Sequence, residues 1–143
     1  MDTTPLVSVR LVETADRVAR GWPIGSTFVE EFWLPILGPS SLALLRRFDR
    51  RANTYRRATP INLAEVAVSI GLGDSITKHS PIVRTLDRLV RFDAARWHDQ
   101  HDSAGELVVY THLFAVPTRL LSQLPERLRA DHHRAVAAVA GVA

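Results

Sequence analysis

No cysteine occurs among the 143 residues, which excludes disulfides, thiolate metal sites and a cysteine nucleophile. Lysine is almost as scarce: Lys78 is the single one among eighteen cationic residues. No uninterrupted apolar run approaches the ~20 residues that span a bilayer. Residues 1–22 carry acids and lack a long apolar segment, which argues against a secretory signal. Glycine-rich phosphate loops are missing too, since "GLGDS" at 71–75 has neither the lysine nor the spacing of one. No serine sits in a nucleophile elbow, and the acids are scattered. These absences predict a cytoplasmic, non-membrane protein that is not an enzyme and carries no cofactor.

What is present is arginine, unevenly spread. Between Arg46 and Arg96 ten arginines and Lys78 stand against five acids, so that segment carries +6 and the flanks −3 of the net +3. Clustered cations on one part of a chain are the electrostatic footprint of a polyanion partner.

The helical patterns are broken by glycine and proline. "VETADRVAR" at 12–20 is partly helical, and Gly21, Pro23 and Gly25 end it. In "STFVEEFWLPIL", Thr27 and Glu30 have capping-box spacing, with Phe28 and Phe32 on one face. After Gly38 and Pro39 a new helix buries Leu42, Leu45 and Phe48 and turns Arg46, Arg47, Arg50 and Arg51 outward. "NTYRRATPIN" connects to "NLAEVAVSIGLG", capped by Asn62 and ended by Gly71 or Gly73. Ser80 is a natural N-cap and Pro81 a natural first residue for the helix 79–92. Its inner face is Ile82, Leu86, Leu89 and Val90. Arg84, Arg88 and Arg91 fall opposite, where like charges at this spacing repel by a few tenths of a kcal/mol per pair. Asp87 stands where it can neutralise Arg84 or Arg91. Beyond Asp93, "AARWHDQ" and "LVVYTHLF" alternate as two strands joined by "HDSAGE". The tail forms two helices divided near Pro125.

From residue 39 to 114 the order is thus helix, extended connector, helix, turn, helix, hairpin. "LAEVAVSIGLG", "SPIVRTLDRLVRF" and "AARWHDQHDSAGELVVYTHLF" resemble the second helix, recognition helix and wing of winged helix-turn-helix proteins, as in many bacterial transcription regulators. The family pattern has a small residue, often glycine, where this chain has Asp93. "EFWLPILGPSSLALLRRF" is more faintly similar to the opening of the winged-helix domain of DnaD-type and DnaB-type primosome proteins, a domain used largely for self-association.

The resemblance implies a mostly α fold with a small β-hairpin: a winged helix-turn-helix core at 26–116, an N-terminal extension at 1–25, and a C-terminal helical segment at 117–143. It implies sequence-specific binding of double-stranded DNA and a role in transcription. In such domains the third helix enters the major groove, so Lys78, His79, Ser80, Arg84, Thr85, Arg88 and Arg91 are the expected contacts. Arg96 would reach from the wing, along with the 99–106 turn. Arg46, Arg47, Arg50, Arg51, Arg56 and Arg57 would anchor phosphates, which give affinity without sequence choice. The alternative is a protein-interaction or oligomerisation module of a replication or other bacterial assembly.

Three smaller readings complete the sequence. His98, Asp99, His101 and Asp102 crowd a hairpin end, and the two histidines point to opposite faces of an ideal strand, so no metal is expected. Trp97 is expected beneath the hairpin. Leu121, Leu124, Leu128 and "RAVAAVAG" suggest an apolar seam for another helix, either within the domain or across a homodimer, whose two-fold symmetry would match half-sites about one helical turn apart.

Overall fold

In a computed structural model, residues 6–98 and 105–139 are described. The elements are β1 (Leu6–Val12), α1 (Ala15–Arg20), β2 (Trp22–Pro23), α2 (Thr27–Leu37), α3 (Pro39–Arg50), α4 (Ala52–Tyr55) and β3 (Thr59–Asn62). There follow α5 (Leu63–Ser69), α6 (Pro81–Arg91), β4 (Ala95–His98), β5 (Glu106–Tyr110), β6 (His112–Leu113), a 3-10 helix (Thr118–Gln123) and α7 (Glu126–Val139). No helix among the described residues is long and apolar enough to cross a membrane.

The expected hairpin exists as the antiparallel pair of β4 and β5, with Trp97 opposite Leu107. It is only half of the sheet, which corrects the expectation of a mostly α chain with one small hairpin. The fold is mixed α/β, with four strands in the order β3-β1-β5-β4. The source of the difference is β1, which runs antiparallel to β3 and parallel to β5. Its "LVSVRLV" alternates, and Val7, Val9 and Leu11 are buried. β3 is an edge strand, where Pro60 costs no ladder hydrogen bond. "LVVYTHLF" is likewise divided: β5 ends at Tyr110, and β6 joins β2 in a separate two-stranded sheet.

Helix α6 contributes Ile82, Leu86 and Leu89, all essentially inaccessible, to the core that also takes the inner face of the larger sheet. Helix α2 adds Phe28, Phe32, Trp33 and Ile36 to the same core. Its N-cap is Ser26, whose Oγ accepts from the Val29 amide, one residue before the cap expected at Thr27. Trp33 Nε1 donates to the Phe114 carbonyl at 2.9 Å, tying α2 to the segment after β6.

The C-terminal segment spends much of its apolar line inside the chain. Leu124 is buried, and Leu128, Ala135 and Val136 pack on the core from α7. His132 is buried as well; its Nε2 accepts from the Val116 amide at 3.0 Å, between the rings of Phe28 and Phe32.

Candidate nucleic-acid interface

Helix α6 begins where Pro81 supplies a fixed φ and no amide hydrogen. Ser80 is its N-cap residue but does not cap with its side chain. Its Oγ turns back, donating to the Thr77 carbonyl at 2.8 Å and accepting from the Thr77 amide. That closes the 77–80 turn and leaves Lys78 and His79 exposed just ahead of the helix. At the other end the Ala94 amide reaches Leu89 O and the Asp93 amide reaches Val90 O, a Schellman stop. Asp93 itself has φ 64, the left-handed conformation for which glycine is the usual occupant. Its carboxylate accepts from Arg17 at 2.9 Å, which accounts for aspartate at this place.

Between these ends the two faces separate cleanly. Ile82, Thr85, Leu86 and Leu89 point inward, while Arg84, Asp87, Arg88 and Arg91 are exposed. Asp87 forms no ion pair among the described residues, so the local neutralisation that its spacing allows does not occur. Arg84 likewise has no partner among the described residues, and the Arg91 guanidinium lies 5.4 Å from the centre of the Phe92 ring. Arg88 is tied down: its Nη1 donates to Leu37 O, at the C-terminal end of α2, at 3.3 Å. The three arginines line one side of a groove of about 490 Å3, with the α2–α3 corner at Gly38 and Pro39 on the other. The terminal helix α7 packs on α2 and has no residue in the lining of this groove.

Two residues expected at the interface point elsewhere. Thr85 is buried, donates to Pro81 O at 2.8 Å, and offers its carbonyl to Ser41. Ser80 is buried in the turn just described. Both lie on the inward side because the helix places position 85 against α3, and both hydroxyls are spent within the chain.

Arg96 is exposed on β4, on the outer face of the sheet. Across β5 on that face, Arg10 Nε holds Glu106 at 2.7 Å. Trp97 is 38% exposed, and its ring lies so close to Gly105 that a Cβ there would sit 3.0 Å away. The turn 99–104, with Asp99, His101 and Asp102, lies outside the described residues. Among those described, no group of three His, Asp or Glu side chains can hold a metal.

The second arginine cluster divides by partner. Arg46 pairs with Glu30 at 3.0 Å, and Arg47 Nη2 donates to Ser69 O at 3.3 Å, at the end of α5. Arg50, Arg51, Arg56 and Arg57 are exposed and unpartnered among the described residues. Arg46, Arg47, Arg50 and Arg51 line a second groove of about 720 Å3, together with Leu34, Leu42 and Ile70. The two grooves meet at Pro39, which lines both.

The sequence reading missed one cation altogether. Arg17, in α1, is buried with its guanidinium 3.5 Å from the Tyr110 ring centre and hydrogen-bonded to His112 O. It clamps α1 to the sheet and is largely withdrawn from solvent. Nothing in "ADRVAR" marks it, because Tyr110 and Phe114 come from the far end of the chain.

Comparisons with protein-family models, with curated proteins and with solved structures found no match.

Proposed function

We propose that this chain is a winged helix-turn-helix protein that binds double-stranded DNA with the outer face of α6, and that its role is transcriptional control. The observation carrying the reading is the uncompensated cationic face of α6: Arg84, Arg88 and Arg91 exposed, Asp87 unpaired, and the terminal helix packed elsewhere. The element order α3, β3, α5, α6, β4, β5 supports it. That is the order of a winged helix, here with β1 inserted between the strands that flank it.

In this reading Lys78, His79, Arg84 and Arg91 meet phosphates and base edges in the major groove. An arginine fork on guanine O6 and N7 adds about 1–3 kcal/mol of discrimination. Arg88 is partly committed to holding the α2 terminus. Arg96 reaches the neighbouring backbone or minor groove. Arg56 and Arg57 add phosphate contacts without sequence choice. Two copies related by a two-fold axis would read a two-part site, with the outer side of α7 around Val139, 59% exposed, left for their contact.

Duplex affinity measured across a salt series tests the proposal. Each phosphate contact contributes about 0.9 to the slope of log affinity against log salt. An Arg84→Ala/Arg91→Ala variant, which leaves the Arg88 tie intact, should weaken binding and flatten the slope by about 2. An unchanged slope would reject α6 as the DNA-reading helix. Absence of duplex binding at low salt, together with a stable oligomer, would favour an assembly module in place of a DNA-binding one.

A further inference from the structure

The groove along α3 has a chemistry that DNA does not explain. Its α3 residues are Pro39, Leu42, Ala43, Arg46, Arg47 and Arg50, spaced three and four apart, so they form one stripe along the whole helix. Twelve residues of helix run roughly 18 Å. The stripe changes character along that length: apolar at the amino end and cationic at the carboxyl end. Leu34 from α2 and Ile70 from the end of α5 extend the apolar floor. Both are only half-buried, so apolar surface stays open to water at the bottom of the groove.

The cations at its rim are held in different ways. Glu30 fixes Arg46 and the Ser69 carbonyl fixes Arg47, while Arg50 and Arg51 have no partner among the described residues and can meet an anion. A phosphate backbone would use such arginines but would gain nothing from a leucine and isoleucine floor, which rewards buried carbon at about 25 cal/mol per Å2. A second copy of the chain is a poor occupant, because no described helix presents two unpaired carboxylates: Glu31 in α2 and Glu65 in α5 are exposed and unpaired among the described residues, but each stands alone. α2 has Glu30 committed to Arg46, and α7 mixes Glu126 and Asp131 with three arginines.

We infer that the α3 groove docks an amphipathic helix of a partner protein, one that carries aliphatic residues on the part lying over Leu34, Ala43 and Ile70 and carboxylates on the part lying over Arg50 and Arg51. Docking of an apolar helix face into a groove, anchored at every third or fourth residue, is an established mode of peptide recognition, and the opposite charges here set its direction. The groove adjoins the α6 groove at Pro39 but shares no arginine with the face proposed for DNA, so one chain can hold both partners, as a recruiting factor must.

A fluorescein-labelled 14-residue peptide provides the probe, with leucines on one face of its first half and glutamates on the same face of its second half. The full chain should bind it saturably by fluorescence anisotropy. Arg50→Glu/Arg51→Glu should weaken binding at least tenfold, with only a small drop in thermal midpoint, because neither side chain has a partner among the described residues and the reversed charges merely oppose the dipole at the carboxyl end of α3. Arg84→Ala/Arg91→Ala should leave the peptide affinity within twofold. A peptide of identical composition in scrambled order should bind at least tenfold more weakly. Equal binding of the scrambled peptide would reduce the groove to unspecific charge attraction and overturn the inference. So would wild-type affinity in the charge-reversed variant, or complete displacement of the peptide by saturating duplex DNA. A chain that binds duplex and not peptide contradicts this inference alone, whereas one that binds peptide and not duplex contradicts the proposed DNA function alone.

Discussion

His132 shows how far a residue's surroundings set its chemistry. On sequence it is one of two adjacent histidines in a polar helix. In the fold it is a neutral acceptor for the Val116 amide, enclosed by two phenylalanine rings. Burial, with the neighbouring His133 adding in the same direction, holds its pKa below the ordinary 6.5. The folded chain therefore binds fewer protons than the unfolded chain in the window below that value, and stability rises with pH there. The contribution is complete above pH 6.5 and is lost as pH falls through the depressed folded value. Denaturant midpoints taken from pH 8 to pH 5 should show this decline. In His132→Phe the decline should be shallower, while stability at pH 8 should drop by about 1–3 kcal/mol, because the Val116 amide is left buried without an acceptor. Equal pH slopes in the two proteins would show that His132 is not the titrating group. Arg17 teaches the same lesson from the other side. An arginine in a short polar helix reads as solvated, and only the strands that bring Tyr110 and Phe114 beside it make it a clamp.

At the scale of the element, α6 was the most legible part of the chain. Ser80 and Pro81 mark its start, Ile82, Leu86 and Leu89 its buried stripe, and the arginines its outer face, because all of these follow from local spacing. Thr85 was not legible: it falls at the margin between faces, and the Ser41 hydroxyl that claims its carbonyl comes from α3. β1 illustrates the limit of pattern reading. Val7, Val9 and Leu11 alternate with Ser8 and Arg10 as a half-buried strand should, yet its partners β3 and β5 lie far along the chain and leave no local mark. The α2–α3 corner rests on Gly38, with φ 82 and ψ 162, a region reserved almost entirely for glycine. A Cβ there would also come within 2.8 Å of Arg88 Nη1, the group that holds the end of α2. Gly38→Ala should therefore lose about 1–3 kcal/mol of stability, read as a lower thermal midpoint. An unaltered midpoint would mean that the corner relaxes without strain.

For the whole molecule, the four-stranded sheet is what presents α6 outward. Ile82, Leu86 and Leu89 are buried in the core that α6 shares with α3 and α5, so the opposite side of the helix is left to solvent. Insertion of β1 between β3 and β5 widens that platform beyond a hairpin. The terminal helix closes over α2, away from the arginines, so the two cationic grooves stay open on either side of Pro39. Charge clustering was visible in the sequence; its division into one groove beside α6 and another with an apolar floor was not, because Leu34 and Ile70 reach the second groove from different helices. The proposed contact between the outer face of α6 and duplex DNA can be read residue by residue. The most direct test maps backbone amide shifts of the 15.9 kDa chain, labelled with 15N, on addition of a duplex at low salt. The expected result is a set of large shifts confined to residues 78–91 and the neighbourhood of Arg96. Shifts concentrated in α2 and α7, with α6 unmoved, would contradict it.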